Sequence, residues 1–423
     1  MRVVYDISTL GLGQLYALSR GGSFRVHRHL AEALLASGQC ELLFCANHSS
    51  VAYHGCIEYL RTSPRLGRVP LLGPRRTGTA SLLRRGVAGT HRWVRTLMRS
   101  NVFPRLLRHG GRLVDRRIHP QVCDASPPAD VFHSSGAALP PRRRGRSPRR
   151  FLTIYDLGPI RFPEVYGPAC VRTAQEMLDS VGPGDWVMTG SEAARAELCE
   201  RGVAPPERVV VAPLAADREI FHPCADAGRL LAVREKYGIP RGPYLLSLNT
   251  LDPHKNMHHA VRAFARLAAQ EGGGEAAFVL AGHPGRGSHQ LGEALEEVPG
   301  VRGRIIVTGF VADGDLAPLY SGATALVYPS LYEGFGLPPL EAMQCGTPVI
   351  TSNTSSLPEV VGDAGLLVDP GDGDALSQAM LTVCRDAGLR ERMREKSLIR
   401  AAAFSWERCA RDTLAGYRAA LAA

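Results

Sequence analysis

The stretch SLYEGFGLPPLEAMQCGTPVI, residues 330–350, determines how the rest of the chain is interpreted. The run ATALVYPS, rich in strand-forming residues, leads into it, and the helix-forming run EAMQCG lies near its end. A glycine-containing turn separates the two, so the predicted order is strand, tight turn and helix. Pro338 and Pro339 suit the start of this helix, because the N–H that proline lacks would have no intrahelical partner there.

Two carboxylates flank this predicted helix start. Glu333 is expected in the loop, and Glu341 in the first helical turn. A helix N-terminus offers free N–H groups and a partial positive charge, which favours a bound anion. Two acidic residues at such a place fit a ligand with a central phosphate and a hydroxyl-rich ring at each end, which describes a nucleotide sugar. The alternative is a structural helix start with two surface glutamates.

The residues of this stretch also carry a resemblance. The pattern E-G-F-G-L-P-x-L-E-A-M-x-x-G-T-P-V-I resembles the donor-site motif of the retaining GT-B glycosyltransferases, family 4-like (glycosyl transferases group 1, bacterial mannosyltransferase type). The flanking segments 307–330 and 351–372 are similar to those of the same family. The resemblance is strong over residues 240–375 and weak in the N-terminal half. It implies an α/β fold of the GT-B type, with two doubly wound Rossmann-like domains facing across a cleft.

Apolar runs typical of buried parallel strands recur along the chain. The opening MRVVYDISTL predicts a strand that feeds a loop, and RGGSFRVHRHLAEALLASG predicts a glycine turn and a helix. Further strands are expected at CELLFCA and at 131–135, 151–156, 185–191, 208–214, 243–249, 276–282, 304–309, 325–330, 348–353 and 365–370. The predicted organisation is an acceptor-side domain (1–215), a linker (216–242), a nucleotide-sugar-binding domain (243–402) and a C-terminal helix crossing back to the first domain (403–423).

The resemblance assigns most of the donor site. Lys255 matches a family lysine that meets the donor diphosphate, whereas Thr250 stands where the family usually has a basic residue. Neutralisation of the diphosphate is therefore left to Lys255, His254, the helix start after Gly336 and the turn Gly21–Gly22. Glu341 resembles the ribose ligand, and Glu333 the residue that contacts the sugar. Backbone groups complete the expected set: Gly309 and Val311 for the base, and Phe335, Gly336 and Leu337 for the sugar and phosphate.

The first domain is expected to supply residues near the anomeric carbon. The run IYDLGPIRFPEVY is similar to a family segment in which a His-Asp pair ends a strand. Tyr155 replaces that histidine here, and Asp156 is kept; tyrosine cannot carry a proton near neutral pH as histidine does. His133 is a further candidate at a strand end, with a structural role as the alternative. Ser191 and Glu192 fit a helix cap better than catalysis.

The resemblance also implies the reaction. Transfer would retain anomeric configuration through an oxocarbenium-like transition state, with Lys255 and the helix terminus stabilising the leaving diphosphate. Mannose is the favoured hexose, and the acceptor is expected to be a glycan, a lipid-linked molecule or a natural product. No Asp-x-Asp motif lies beside Lys255 or Glu333 in the sequence, so neither a cofactor nor a catalytic metal is expected. A sugar-nucleotide epimerase or phosphorylase on the same fold, and a basic binding protein with a vestigial donor site, are the alternatives.

Composition sets the remaining expectations. A chain of 423 residues should hold two domains. The ten scattered cysteines indicate reduced, buried thiols, and with no signal peptide or apolar span visible they favour the cytoplasm. The net charge of +10 is concentrated in arginines between residues 61 and 117 and in PPRRRGRSPRR. Because residues 84–117 interleave arginines with apolar side chains, they fit an anionic membrane surface or a solvated helix face, and nucleic acid less well.

Overall fold

The computed structural model describes residues 1–15, 22–46, 49–73, 129–142, 147–270, 275–283 and 285–423. Gly21 and the arginine-rich stretch 84–117 therefore lie outside the described residues. Within the described ranges the chain forms two parallel six-stranded sheets with flanking helices. This is the doubly wound α/β architecture that the sequence predicts.

The first sheet has the strand order β2-β1-β3-β4-β5-β6, in which β1 pairs in parallel with both β2 and β3. Every strand predicted for it is present, and several are shorter than their apolar runs. Strand-forming side chains continue past the point where the ladder ends, which explains the difference. The strands are β1 (Arg2–Asp6), β2 (Glu41–Cys45), β3 (Val131–Ser134), β4 (Arg149–Thr153), β5 (Trp186–Thr189) and β6 (Val209–Val211).

The second sheet has the order β12-β11-β10-β7-β8-β9, and all its pairings are parallel. The chain order reverses beside β7, which pairs with both β8 and β10. Such a reversal is the point at which open parallel sheets bind ligands at the carboxyl ends of their strands. The strands are β7 (Tyr244–Leu248), β8 (Ala277–Ala281), β9 (Ile305–Gly309), β10 (Ala325–Tyr328), β11 (Val349–Ser352) and β12 (Leu366–Val368).

Helices connect the strands. Those before β7 are α1 (Ser8–Leu15), α2 (Gly22–Ala36), α3 (Ser50–Thr62), α4 (Gly158–Arg161), α5 (Pro163–Asp179), α6 (Glu192–Glu200) and α7 (Ala227–Lys236). Those after it are α8 (Met257–Ala268), α9 (Ser288–Glu296), α10 (Asp313–Ser321), α11 (Leu337–Gln344), α12 (Leu357–Val361), α13 (Gly373–Arg385), α14 (Ala387–Ala402) and α15 (Trp406–Ala422). The predicted cap of α6 is confirmed, since the Ser191 side chain accepts a hydrogen bond from the backbone N–H of Ala194.

The chain divides into two compact units. Unit 1 consists of Met1–Ile154, Glu176–Val187 and Leu414–Ala423; unit 2 consists of Tyr155–Gln175 and Met188–Thr413. In unit 1, Phe151 stacks on Trp186 and meets Tyr417 edge-on in the core. In unit 2, fully buried side chains of β7, β8 and β10 pack against α8, with Phe264 against Phe278 at its centre. Burial on both sheet faces explains the nearly continuous apolar strands.

Two predictions about local structure need correction. Residues 8–15 form helix α1 rather than a loop. The sequence STLGLGQL reads as a loop because of its glycines, but a side chain at Gly11 would collide with the backbone of Ala52, so this glycine permits close packing on α3. The segment predicted as a linker contains α7, whose N-terminus is capped by the Asp226 carboxylate. Pro223 and Pro240 bracket this helix rather than marking an extended segment.

Two expectations drawn from composition can be compared with the described residues. The cysteines there are free, but burial varies: Cys45, Cys56, Cys345 and Cys409 are buried, and Cys170 is exposed. The expectation of buried thiols is therefore wrong for Cys170, which lies on the largely exposed surface of α5. Within the same ranges, no helix has the length and apolar character needed to cross a membrane.

Candidate active site

The candidate site lies at the carboxyl ends of β7, β10 and β11, which are neighbours in the second sheet. Because these strands are parallel, the loops that follow them meet at one edge of the sheet. Lys255 follows β7, Glu333 follows β10 and Ser355 follows β11. All three belong to unit 2, so the fold brings together residues from three separate parts of the sequence.

Glu333 and Lys255 form an ion pair at the centre of this cluster. The Lys255 Nζ donates to Glu333 Oε1 at 2.6 Å, and the Tyr328 hydroxyl donates to the same oxygen at 2.7 Å. The two charged side chains are only 12% and 14% exposed. The Ser355 Oγ accepts from the backbone N–H of Glu333, and Ser355 adopts a left-handed φ of 49° to do so. Such strain is typical of functional sites.

The environment of Glu333 keeps its carboxylate ionised. Burial alone would raise its pKa, but the Lys255 charge and hydrogen bonds from Lys255, Tyr328 and Ser330 together hold the pKa below its ordinary value. Burial, followed by the nearby Glu333 charge, raises the pKa of Tyr328 well above its ordinary value. At neutral pH the cluster therefore contains a carboxylate at Glu333 and a protonated phenol at Tyr328.

Two glycines shape the turn that presents Glu333. A side chain at Gly334 would collide with the carbonyl oxygen of Tyr155 and with Asp156, so only glycine allows this close approach. Gly336 has a φ of 106°, a left-handed conformation that glycine adopts without strain. The E-G-F-G pattern thus has a physical basis at both positions.

Helix α11 begins at Leu337, and no side chain caps it. Its N-cap residue is Gly336. Because Pro338 and Pro339 have no N–H, the backbone donors at the start of the helix are those of Gly336 and Leu337, beside a partial positive charge. The Phe335 side chain is buried against Phe404. This geometry agrees with an anion-binding helix start.

The prediction that Glu341 lies in the first helical turn is wrong. Glu341 is the fifth residue of α11, because the helix starts at Leu337 rather than two or three residues later. Its side chain is mostly buried, and the Tyr320 hydroxyl donates to its Oε2 at 3.1 Å. After burial, the charges of both Glu333 and Glu341 help to raise the pKa of Tyr328, so both carboxylates act on one tyrosine.

Asp156 also belongs to this cluster. The Tyr155 carbonyl packs against Gly334, and Asp156 Oδ1 accepts from the backbone N–H of Gly158 at 2.8 Å. Asp156 is exposed to solvent, but the surrounding protein partly desolvates its carboxyl group. This desolvation and the Glu333 charge raise the pKa of Asp156. The hydrogen bond from Gly158 and the Lys255 charge oppose that increase. The charges of Glu333 and Lys255 thus both act on Asp156, and a catalytic role for the three residues stays a prediction.

His254 differs from its predicted role as a neutralising charge. Its ring stacks on Phe162 and Tyr166, and burial, followed by the Lys255 charge, lowers its pKa to about 4. A neutral imidazole at physiological pH cannot balance a diphosphate. The backbone carbonyl of His254 accepts hydrogen bonds from the Leu331 N–H and the Ser330 hydroxyl. These bonds join the loop after β7 to the loop after β10.

The remaining predicted residues are distributed over several elements of the fold. Thr250 is exposed in the loop after β7; Gly309 ends β9 with a φ of 70°, and Val311 is buried two residues later. Gly22 begins α2 in unit 1. His133 is fully buried in unit 1, and its two ring nitrogens contact the hydroxyls of Tyr417 and Thr153. Burial lowers the pKa of His133 to about 3, which matches the structural alternative.

Several residues of the cluster are not found by the sequence reasoning. Tyr328, Tyr332, Ser355 and Glu197 all contact the Glu333 turn or its neighbours. Tyr332 lies beside Glu333 in the sequence, and Tyr328 ends the preceding strand. Their positions in the sequence were therefore sufficient to predict that both lie near Glu333. Nothing in the sequence around Glu197 distinguished it from a helix-surface glutamate.

The described ranges contain no group of three or more His, Cys, Asp or Glu side chains that could hold a metal ion. Metal-independent chemistry stays a prediction that needs a direct test.

Comparison with known proteins relates this geometry to a family. The family model described as "Glycosyl transferases group 1" matches residues 232–399. The O-antigen chain mannosyltransferase B of Escherichia coli is 36% identical over 290 residues, which cover 68% of this chain and 74% of that protein. The serotype-specific mannosyltransferase WbdA of the same organism is 32% identical over 235 residues, covering 55% of this chain and 28% of that protein.

The fold is shared with solved structures at low sequence identity. Sucrose-phosphate synthase from Thermosynechococcus elongatus superposes with a TM-score of 0.67 over 99% of this chain and 98% of that chain, at 20% identity. A likeness at this identity shows the GT-B fold and no more. Together with the relatives, it leads to one conclusion: the chain belongs to the glycosyl transferases group 1 family.

Proposed function

We propose that this protein is a retaining hexosyltransferase that moves mannose from a nucleoside-diphosphate mannose to a glycan, lipid-linked or natural-product acceptor. The observation that carries this proposal is the ionised Glu333, paired with Lys255 beside the uncapped start of α11. A carboxylate can accept hydrogen bonds from sugar hydroxyls, and the helix start can receive a phosphate.

Lys255 has a double electrostatic role in this proposal. Its Nζ carries three N–H donors, and one of them is used by Glu333. The others are available for a phosphate oxygen, so Lys255 can hold the sugar-binding carboxylate and the diphosphate at once. Negative charge grows on the diphosphate as it leaves, and a preorganised ammonium and helix start stabilise that charge most in the transition state.

The proposed reaction balances without a side-chain base. The bond between the anomeric carbon and the diphosphate oxygen breaks, and the electron pair leaves with the diphosphate. The acceptor hydroxyl attacks the same face of the oxocarbenium-like sugar and forms the new glycosidic bond. Its proton passes to the leaving diphosphate oxygen, and the configuration is retained. Asp156, whose raised pKa reflects partial desolvation and the Glu333 charge, is proposed to lie near the anomeric carbon.

The choice of mannose is supported by the names of the relatives, which are described as mannosyltransferases. One of them is described as acting on an O-antigen chain, which supports a surface glycan as the acceptor. The base is proposed to be held by the backbone at Gly309 and Val311, so GDP-mannose is the first donor to test rather than a deduced one. We further propose a cytoplasmic enzyme that reaches an anionic membrane surface through residues 84–117.

The test combines donor binding with product analysis. Thermal shifts are measured with GDP-mannose, UDP-glucose and ADP-glucose, and transfer from GDP-mannose to mannobiose is followed by NMR of the anomeric proton. An α-linked product is expected, unchanged by EDTA, and Glu333→Gln should abolish it. A β-linked product would overturn retention, and loss of transfer in EDTA would overturn metal independence. Turnover without an acceptor would indicate an epimerase, consumption of inorganic phosphate a phosphorylase, and no thermal shift a vestigial site.

A further inference from the structure

The segment Tyr155–Gln175 belongs to unit 2 and carries Asp156 to the Glu333 turn. Contacts of four kinds hold it there. Gly334 admits the Tyr155 carbonyl, Phe162 and Tyr166 stack on His254, and Arg286 donates to the carbonyl of Val165. The fourth contact is a side-chain hydrogen bond from Tyr332, the residue that precedes Glu333.

The Tyr332 hydroxyl accepts and donates at the same time. It accepts from the backbone N–H of Leu157 at 3.0 Å and donates to Glu197 Oε2 at 2.8 Å. Tyr332 is only 6% exposed. Burial, followed by the charges of Glu197 and Asp156, raises its pKa, so the hydroxyl keeps the proton that the second bond needs.

The N–H that Tyr332 holds belongs to the peptide group between Asp156 and Leu157. On the far side of the same short turn, the Asp156 carboxylate accepts from Gly158. Rotation of the Asp156–Leu157 peptide would therefore turn the Asp156 side chain as well. Tyr332 fixes this peptide while its own backbone continues directly into Glu333, so one residue relates Asp156 to the carboxylate expected at the sugar.

Glu197 keeps the Tyr332 hydroxyl in place. Its Oε1 accepts from Arg201 at 3.1 Å, which leaves Oε2 for the tyrosine. Its side chain is 14% exposed, so the hydrogen bond from Tyr332 is largely sheltered from competing water. The Tyr332 ring also packs against Phe162 and lies under the Arg161 guanidinium. Phenylalanine would preserve these ring contacts and remove only the hydroxyl.

We propose that Tyr332, held by Glu197, is a positioning residue that fixes the Asp156–Leu157 peptide against the Glu333 turn and so controls the rate of sugar transfer rather than donor affinity. This inference rests on the proposed function. Tyr332 does not contact reacting atoms in this scheme; it acts through Asp156. Loss of the hydroxyl should therefore lower kcat and leave the KM for the donor nearly unchanged.

The test uses the full chain with GDP-mannose and mannobiose. Tyr332→Phe should lower kcat at least tenfold with the donor KM within threefold of wild type, and the affinity for GDP measured by calorimetry should not change. Tyr244→Phe is the matched control, because its buried hydroxyl donates to the Leu319 carbonyl elsewhere in unit 2. It should keep kcat within twofold of wild type.

Substitutions of Glu197 supply a second measurement that does not touch the tyrosine. Glu197→Ala removes the acceptor and should reproduce the kcat loss of Tyr332→Phe, whereas Glu197→Gln keeps an acceptor oxygen and should recover most of the rate. The kcat of the double variant Tyr332→Phe/Glu197→Ala should be no lower than that of either single variant, because both substitutions remove the same hydrogen bond.

The outcomes separate the two proposals. A wild-type protein that transfers no sugar would overturn the proposed function and this inference with it. An active wild type with a kcat for Tyr332→Phe equal to that of the Tyr244→Phe control would overturn this inference alone. So would a loss confined to KM, or to the fraction of folded protein measured by thermal melting.

Discussion

Lys255 and Glu333 show how the structure changes the roles assigned to single residues. The sequence assigns Lys255 to the diphosphate and Glu333 to the sugar, as separate contacts. The structure joins them in a mostly buried ion pair, with Tyr328 on the same carboxylate oxygen. Removing one member of such a pair leaves the other charge buried without a partner. The resulting loss of folding stability is usually larger than the net stability that the intact pair contributes. Each residue is therefore expected to affect stability as well as the ligand binding proposed for it.

The ion pair gives a prediction for stability. Lys255→Ala should lower the free energy of unfolding by about 3 kcal/mol, because the Glu333 charge loses its partner. The double variant Lys255→Ala/Glu333→Gln should regain most of that loss, because no buried charge remains. Urea unfolding at pH 7 measures both changes. Equal stability of the single and double variants would show that solvent stabilises the unpaired Glu333 charge in Lys255→Ala.

His254 gives a prediction for pH. Its pKa is lowered to about 4 in the folded protein, whereas an unfolded histidine titrates at about 6.5. Between these values the unfolded state binds more protons, so stability must fall as the pH falls from about 6.5 to 4. His254→Gln should remove up to about 3 kcal/mol of this dependence.

The measurement for His254 is urea unfolding at several pH values between 4 and 7. The matched control is His289→Gln, because the His289 side chain is 82% exposed and should leave the profile unchanged. A profile for His254→Gln that is parallel to wild type would mean that His254 titrates normally. Its neutrality at the site would then be refuted.

Among the secondary-structure elements, regular strands were predictable and long-range contacts were not. The run ALVYPS predicts strand β10 because a strand buried on both faces needs nearly continuous apolar residues. The E-G-F-G turn was predictable because glycine is required where backbones meet. Helix α1 could not be predicted, since Gly11 is favourable only through packing on α3 and Gly13 only through packing against Phe24 of α2. The bond between Tyr332 and Leu157 joins residues 175 positions apart, a distance that local patterns do not encode.

The turn between β10 and α11 gives a prediction of its own. In Gly334→Ala, the added methyl group would collide with the Tyr155 carbonyl and Asp156, so the segment that carries Asp156 must move. Transfer from GDP-mannose should fall at least tenfold, with a stability loss of about 1–3 kcal/mol from overpacking. Steady-state kinetics and urea unfolding measure the two effects.

The control for this substitution is Gly292→Ala in α9, where an added methyl group meets nothing within 4 Å. Alanine is favoured over glycine in a helix by roughly 0.5–1 kcal/mol, so this variant should be slightly stabilised and fully active. Wild-type transfer by Gly334→Ala would show that the Tyr155–Gly334 approach has no part in the reaction.

Across the whole molecule, the donor-site resemblance and most of the excess positive charge lie in different parts of the sequence. The family model matches residues 232–399, all of them in unit 2. The arginines of residues 84–117 lie outside the described residues, and they contribute much of the net charge of +10. Of the second arginine-rich run, Arg142 and Arg150 pair with Asp185. The ion pairs with Asp185 explain the positive charge of these two arginines. The positive charge of residues 84–117 still needs an explanation.

We predict that residues 84–117 hold the enzyme on an anionic membrane surface. A cytoplasmic transferase with a lipid-linked acceptor must reach a substrate at the bilayer, and each arginine near an anionic leaflet contributes about 1 kcal/mol. Trp93 and Phe103 would enter the interface beside the charges. Co-sedimentation with phosphatidylserine-containing vesicles should therefore show binding that weakens with salt and disappears with neutral lipid.

The matched variants decide whether this binding depends on the segment or on net charge. Replacing Arg84, Arg85, Arg92 and Arg95 with glutamine removes the same charge as replacing the exposed Arg385, Arg392, Arg408 and Arg411 of helices α13 to α15. Only the first replacement should release the protein from vesicles if residues 84–117 form the contact. Equal losses would attribute binding to net charge alone. No binding of the wild type at low salt would leave the arginines as a solvated face and favour a soluble acceptor.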